Sequence, residues 1–150
     1  MEKAKKVELL NNLIAQCYNS EKGYKNAAEQ VEDKALRKLF KGNAQQRYDF
    51  GHEIKDLIRN MNGEIERGDT IPGKLHRTWM DLRSVLADND EKVILEEVKR
   101  GEKNALGEYQ TAIEKFPEDS DAYKTLTEQR DRIKHSIEQI DRLISTYTEA

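Results

Sequence analysis

The sequence predicts an all-α protein: an antiparallel four-helix bundle with a long crossover, carrying a short extra helix, between helices 2 and 3. Three observations predict it. Four long stretches carry largely apolar stripes at spacings of three and four, the seam of a packed helix. Two connections between these stretches are tight and one is long. Only two prolines interrupt the chain, and no run of β-branched residues reads as a strand. A length of 150 residues fits one domain over residues 1–150, large enough for a real core.

Helix 1 is expected from Lys3 to Val31, on the stripe Val7, Leu10, Ile14, Cys17, Glu21, Tyr24, Ala28 and Val31. Glu32-Asp33 makes a tight turn, and helix 2 follows from Lys34 to Asn62 on Leu36, Leu39, Asn43, Gln46, Phe50, Ile54, Leu57 and Met61. So short a connection forces the two helices antiparallel and side by side. Asn62-Gly63 is a left-handed C-terminal signal. The connection Gly63–Asp88 is broken early by Gly68, Pro72 and Gly73, then turns periodic at Leu75, Trp79, Leu82 and Leu86. That periodicity predicts an amphipathic helix over Lys74–Leu86, anchored on the bundle by Trp79. Asp88-Asn89-Asp90 offers N-cap side chains for helix 3, which runs to about Phe116 on Leu95, Val98, Glu102, Ala105, Tyr109, Ala112 and Phe116. Pro117 stops it, and the acidic turn Glu118–Asp121 suits the start of helix 4. Helix 4 runs to about Thr148 on Leu126, Gln129, Ile133, Ile137, Ile140, Ile144 and Tyr147. A long crossover between two tight hairpins is the connection of ferritin-like bundles. On this reading helix 3 restarts at the end where helix 1 began.

The hairpins read as one unit duplicated. Ser20-Glu21-Lys22 matches Gly101-Glu102-Lys103, and Gln46-Arg47 matches Gln129-Arg130, with His52 and His135 following at equal spacing.

Charge and composition exclude several functions. The net charge of −3 has both signs interspersed, and Lys3, Lys5 and Lys6 are mixed with Glu2 and Glu8, so no nucleic-acid face is expected. No stretch approaches a membrane span, the first residues lack the apolar core of a signal peptide, and a cytoplasmic protein with no membrane partner is expected. The single cysteine, Cys17, lies on the apolar stripe and reads as a buried hydrophobe rather than a catalytic thiol. There is no glycine-rich phosphate loop and no nucleophile elbow. His52, His76 and His135 are scattered and read as surface residues.

One polar residue from each of the four stripes stands out: Glu21, Gln46, Glu102 and Gln129 are all expected to face the interior. A carboxylate there is costly unless it is paired, protonated or bound to metal.

Five segments carry a further signal. They are Leu10-Asn11-Asn12-Leu13-Ile14, Glu21-Lys22-Gly23-Tyr24, Ala44-Gln45-Gln46-Arg47, the run Gly73-Lys74-Leu75-His76-Arg77-Thr78-Trp79-Met80-Asp81, and Arg100-Gly101-Glu102. Through them the chain resembles, over nearly its whole length, a bacterial family of ferritin-like four-helix bundles classed as a domain of unknown function. The resemblance implies a ferritin-like fold and brings no established activity.

A carboxylate diiron site takes a Glu from each of two helices and a Glu-x-x-His pair from each of the others. Glu21 and Glu102 stand where the single glutamates would, but the paired positions read Gln46-x-x-Asp49 and Gln129-x-x-Arg132. The interior charge offered to two metal ions falls from about −4 to about −2, or about −3 if Asp49 turns in. The expected arrangement is a metal-free polar layer of Glu21, Gln46, Glu102, Gln129 and Arg132, in which the glutamines and Arg132, Arg47 or a core tyrosine donate to the glutamates. No cofactor and no catalytic residue is expected. The function class is a non-enzymatic bundle, structural, stress-related or interaction-based, with a degenerate metal site. The alternative is an oxidoreductase or storage protein binding iron or manganese through Glu21, Asp49 and Glu102. A small-ligand binder using the polar layer stays open as a third reading. A C2 homodimer is the expected assembly, with Met80 and Val85 as candidate contacts, and no protein partner is named by the sequence.

Overall fold

The computed structural model describes residues 2–66 and 90–149, with side chains placed to Tyr147. Among these residues the chain forms four helices: α1 (Lys3–Gln30), α2 (Lys34–Asn60), α3 (Glu91–Ile113) and α4 (Asp121–Glu149). The expected crossover helix over Lys74–Leu86, with His76, Trp79, Met80 and Val85, lies outside the described residues.

Local chemistry sets the boundaries. The Asp33 carboxylate accepts from the Leu36 amide at 3.0 Å and caps α2, while Arg37 donates back to the Val31 carbonyl at 2.9 Å, satisfying the end of α1. At the end of α2, Asn62 adopts φ 57° and the Gly63 amide donates to the Ile58 carbonyl at 2.9 Å, a six-to-one closure with asparagine in the left-handed position. Gly63 is needed for space: a Cβ there would lie 2.6 Å from Val7 Cγ2. Asp90 accepts from the Lys92 and Val93 amides at 3.1 and 3.3 Å and opens α3. The last turn of α3 tightens after Ile113, where Lys115 and Phe116 donate to the carbonyls of Ala112 and Ile113, so Phe116 stays buried just beyond the helix. Ser120 caps α4 by accepting from the Tyr123 amide at 3.1 Å.

α1 packs on α2 and on α3, and α4 packs on α3 and on α2, which leaves α1–α4 and α2–α3 as the diagonals of the bundle. The orientation is fixed by Glu91 at the start of α3. Its Oε2 accepts from the amides of Glu32 and Asp33 in the α1–α2 turn at 3.2 and 3.0 Å, and its Oε1 accepts from the hydroxyl of Tyr147, near the end of α4, at 2.8 Å. Helix α3 therefore begins where α1 ends, not where α1 begins as the sequence reading held. The reason is geometric. A helix restarting beside the end of α2 would need only a short turn, whereas the chain here returns to the far end, and all four neighbouring helix pairs are then antiparallel.

The side chain of Asn11 pins the chain leaving α2. It donates to the Glu64 carbonyl and accepts from the Glu66 amide, both at 2.9 Å, as an adjacent strand would. The apolar core forms two clusters. One, at the Glu91 end, includes Tyr24, Val31, Phe40, Leu95 and Ile140. The other, at the opposite end, includes Leu10, Ile14, Ile54, Phe116 and Leu126. A polar layer runs between them.

Candidate functional site

At the centre of that layer Arg47 of α2 reaches across the diagonal to Glu102 of α3. Nη1 donates to Oε1 and Nη2 to Oε2, the latter at 2.7 Å, a two-pronged pair with side chains 1% and 0% exposed. The remaining donors are used too: Nε donates to the Gln46 side-chain carbonyl at 3.3 Å and Nη2 lies 3.5 Å from Ser136 Oγ of α4. The guanidinium carbon lies 5.5 Å from the Tyr24 ring centroid and 5.8 Å from that of Phe50. Burial works against the Arg47 cation, yet the charge and hydrogen bonds of Glu102 outweigh it and hold the guanidinium protonated more firmly than in water. The same burial, with the Glu102 charge beside it, pushes the Tyr24 hydroxyl well above the usual tyrosine range.

Next to the ion pair lies a hydrogen-bonded chain. Tyr109 donates to Gln129 Oε1 at 2.6 Å, which leaves its hydroxyl oxygen to accept from the Cys17 thiol at 3.3 Å. The Gln129 amide nitrogen then faces two acceptors, the Phe50 carbonyl at 3.3 Å and the Glu53 carboxylate at 2.8 Å. Those acceptors fix the orientation of the amide and the direction of the whole chain. Burial, only partly countered by the bond to Tyr109, pushes the Cys17 thiol up to about 11, so it stays protonated and unreactive at neutral pH. Burial likewise raises Tyr109 well above its ordinary value, with Cys17 adding to it.

The expected layer is assembled in part. Glu102 and Gln129 are buried as read. Three others are corrected. Glu21 keeps its side chain 15% exposed and accepts from Lys25, one turn along the same helix, at 2.7 Å. Gln46 is half-buried at the flank, and Arg132 is exposed. The cause is register. The buried stripe of α2 steps by four from Asn43 to Arg47, not by three to Gln46, and that of α4 steps from Gln129 to Ile133 and turns Arg132 outward. Of the donors the sequence offered, Arg47 binds Glu102 and Tyr109 serves Gln129. Ser136 was not foreseen. A signal for Arg47 existed: Ala44 and Gly51, about one turn to either side on the same face, are both small and buried.

Asp49, the remaining metal candidate, is exposed and accepts from Gln45 at 3.1 Å. His52 is exposed against the Tyr48 ring, 4.5 Å between centroids, and His135 is exposed. Among the described residues no three His, Cys, Asp or Glu side chains come together to hold a metal. Both oxygens of Glu102, the one fully buried carboxylate of the predicted set, are engaged by a cation that would repel a metal ion. The donor set does not fit a carboxylate-bridged metal pair.

The chain matches, over residues 5–115, the family described as a domain of unknown function, DUF2383. The chain belongs to that family. The DUF2383 match spans α1, α2 and α3 and so takes in Cys17, Arg47, Glu102 and Tyr109, while Gln129 and Ser136 of α4 lie beyond it. No curated protein matches the chain. No helix among the described residues is long and apolar enough to cross a membrane.

Proposed function

We propose that this DUF2383 protein is a ferritin-like bundle whose metal centre has given way to a buried ion pair, and that it acts as a structural or interaction protein rather than an enzyme. One observation carries the reading: the Arg47 guanidinium occupies the carboxylate of Glu102 at the middle of the bundle, where a diiron protein would place its metals. A fixed internal cation neutralises the carboxylate, satisfies both its oxygens and locks helix register. It leaves no open coordination position. The test is metal content and titration of the protein expressed with excess iron or manganese. The reading expects no stoichiometric metal and no saturable binding. Stoichiometric iron with an oxo-bridged absorption band would overturn it and restore the alternative, an iron or manganese site on Glu21, Asp49 and Glu102.

A further inference from the structure

At the end of the bundle opposite Glu91, α1 begins, α2 ends and the chain turns from α3 into α4. A hollow of about 250 Å³ lies between these segments. Its floor is apolar: Leu57, Phe116 and Ala122 are buried there, with half-buried Met61 beside them. Apolar groups with empty space on one side forfeit contacts that an apolar guest would restore. The flanks of the bundle offer nothing comparable. Among the described residues Tyr48 is the one large apolar side chain that stands exposed.

One wall of the hollow carries a charge that the fold does not use. Lys6 extends the buried face of α1, through Leu10, Leu13 and Cys17, by one further turn, and it is half-buried. Its neighbour Lys5 has Glu8 at 3.8 Å, whereas among the described residues Lys6 forms no ion pair. Lysine places an apolar stem along such a floor and keeps its ammonium at the mouth. A cation at the edge of an apolar hollow attracts a carboxylate more strongly than one in open water does. The first turn of α4 adds to the attraction. Ser120 accepts from the amides of Tyr123 and Lys124, which leaves those of Asp121 and Ala122, at the hollow, with no acceptor among the described residues. Asp121 also lines the hollow, but it is exposed and does not pair with Lys6.

We propose that this hollow binds a small apolar monocarboxylate, its chain on Leu57, Phe116 and Ala122 and its carboxylate at Lys6. At about 30 Å³ for each water-sized group the volume holds about eight non-hydrogen atoms, which is a straight-chain acid of about six carbons. The charge pattern selects within that size. A neutral chain leaves Lys6 unpaired, an amine meets it with like charge, and a dicarboxylate carries a second charge onto the apolar floor. The site is separate from the Arg47–Glu102 pair, so the inference stands independently of the metal question.

The test titrates the full-length protein with hexanoate, 1-hexanol, hexylamine and norleucine, followed through the amide chemical shifts of Met61, Ala122 and Tyr123. Hexanoate is expected to give saturable shifts in the millimolar range, as suits so small a ligand. Hexanol should bind about fivefold more weakly, the worth of one favourable ion pair, and hexylamine should not saturate. Lys6→Met should bring hexanoate down to the affinity of hexanol and leave hexanol unchanged, a split that a mere change of fold would not produce. The proposal is overturned by hexanoate shifts that do not saturate, by equal affinities for hexanoate and hexanol in the parent, or by hexanoate binding that Lys6→Met leaves untouched. Norleucine binding more tightly than hexanoate overturns it too, because the rim would then serve a zwitterion held between Lys6 and Asp121.

Discussion

Removing Glu102 alone should damage this protein far more than removing Glu102 and Arg47 together. In Glu102→Leu the Arg47 side chain, 1% exposed, loses the partner of both its terminal nitrogens and keeps only the Gln46 carbonyl at 3.3 Å and Ser136 Oγ at 3.5 Å. Neither carries charge, and the Tyr24 and Phe50 rings replace little of the lost attraction. Breaking a buried pair from one side costs about 3–5 kcal/mol. For a domain of this size that is a melting-temperature loss of roughly 6–20 °C. Arg47→Met with Glu102→Leu leaves no buried charge. Ser136 still donates to the Arg132 carbonyl at 3.1 Å, and half-buried Gln46 turns to water. The double variant should lie within about 1 kcal/mol of the parent, or above it. The assay is urea denaturation of parent, both single variants and the double, followed by circular dichroism, with equal slopes required for comparison. A double variant that loses the sum of the two single losses would refute the argument, because it would mean that packing and not charge pairing sets the cost.

The other predictions are briefer. Gly63→Ala should cost about 1–3 kcal/mol, because the new Cβ would meet Val7 Cγ2 at 2.6 Å and Ile58 Cγ2 at 3.1 Å. Adding Val7→Ala should recover part of that loss in the same denaturation assay, and no recovery would show that the strain lies elsewhere. The Cys17 thiol is raised from 9.0 to about 11 in the fold, so the stability it contributes is whole below pH 9 and is lost as pH rises toward 11. The parent should therefore lose on the order of 2–3 kcal/mol more than Cys17→Ala across that window and beyond it. Parallel stability curves for the two proteins would contradict the buried position of the thiol.

The parts of this molecule that were legible in the sequence share a property: they depend on one helix at a time. Every residue of the helix 3 stripe, from Leu95 through Glu102 and Tyr109 to Phe116, is buried as its spacing says. The Asp90 cap and the Asn62-Gly63 ending are local chemistry and were equally readable. The misreadings arose where two adjacent registers satisfy the same spacing. On α2, Gln46 and Arg47 both continue the stripe, three and four residues after Asn43, and the expected stripe ran through Gln46. On α1, Ser20 is the more deeply buried neighbour of Glu21. The packing of the surrounding helices decides between such neighbours, and a single stripe does not encode it. The direction of α3 and the reach of Asn11 to Glu64 and Glu66 depend on distant segments for the same reason. The duplication in the sequence is correspondingly uneven in space. Arg47 is locked in the core, whereas its counterpart Arg130 pairs with its neighbour Asp131 at 3.0 Å, with its side chain 27% exposed.

The carboxylate of Glu91 gives the α1–α2 turn an unusual kind of label. Glu32 and Asp33 are both exposed, and amide protons in such a turn would ordinarily trade with solvent about as fast as those of a free peptide. Here both amides are held by a side chain that belongs to the other hairpin and lies 58–59 residues away in sequence. Their protection against deuterium uptake does not report on the turn itself. It reports on whether α3 is seated, which makes two surface protons the gauge of how often the halves of the molecule come apart.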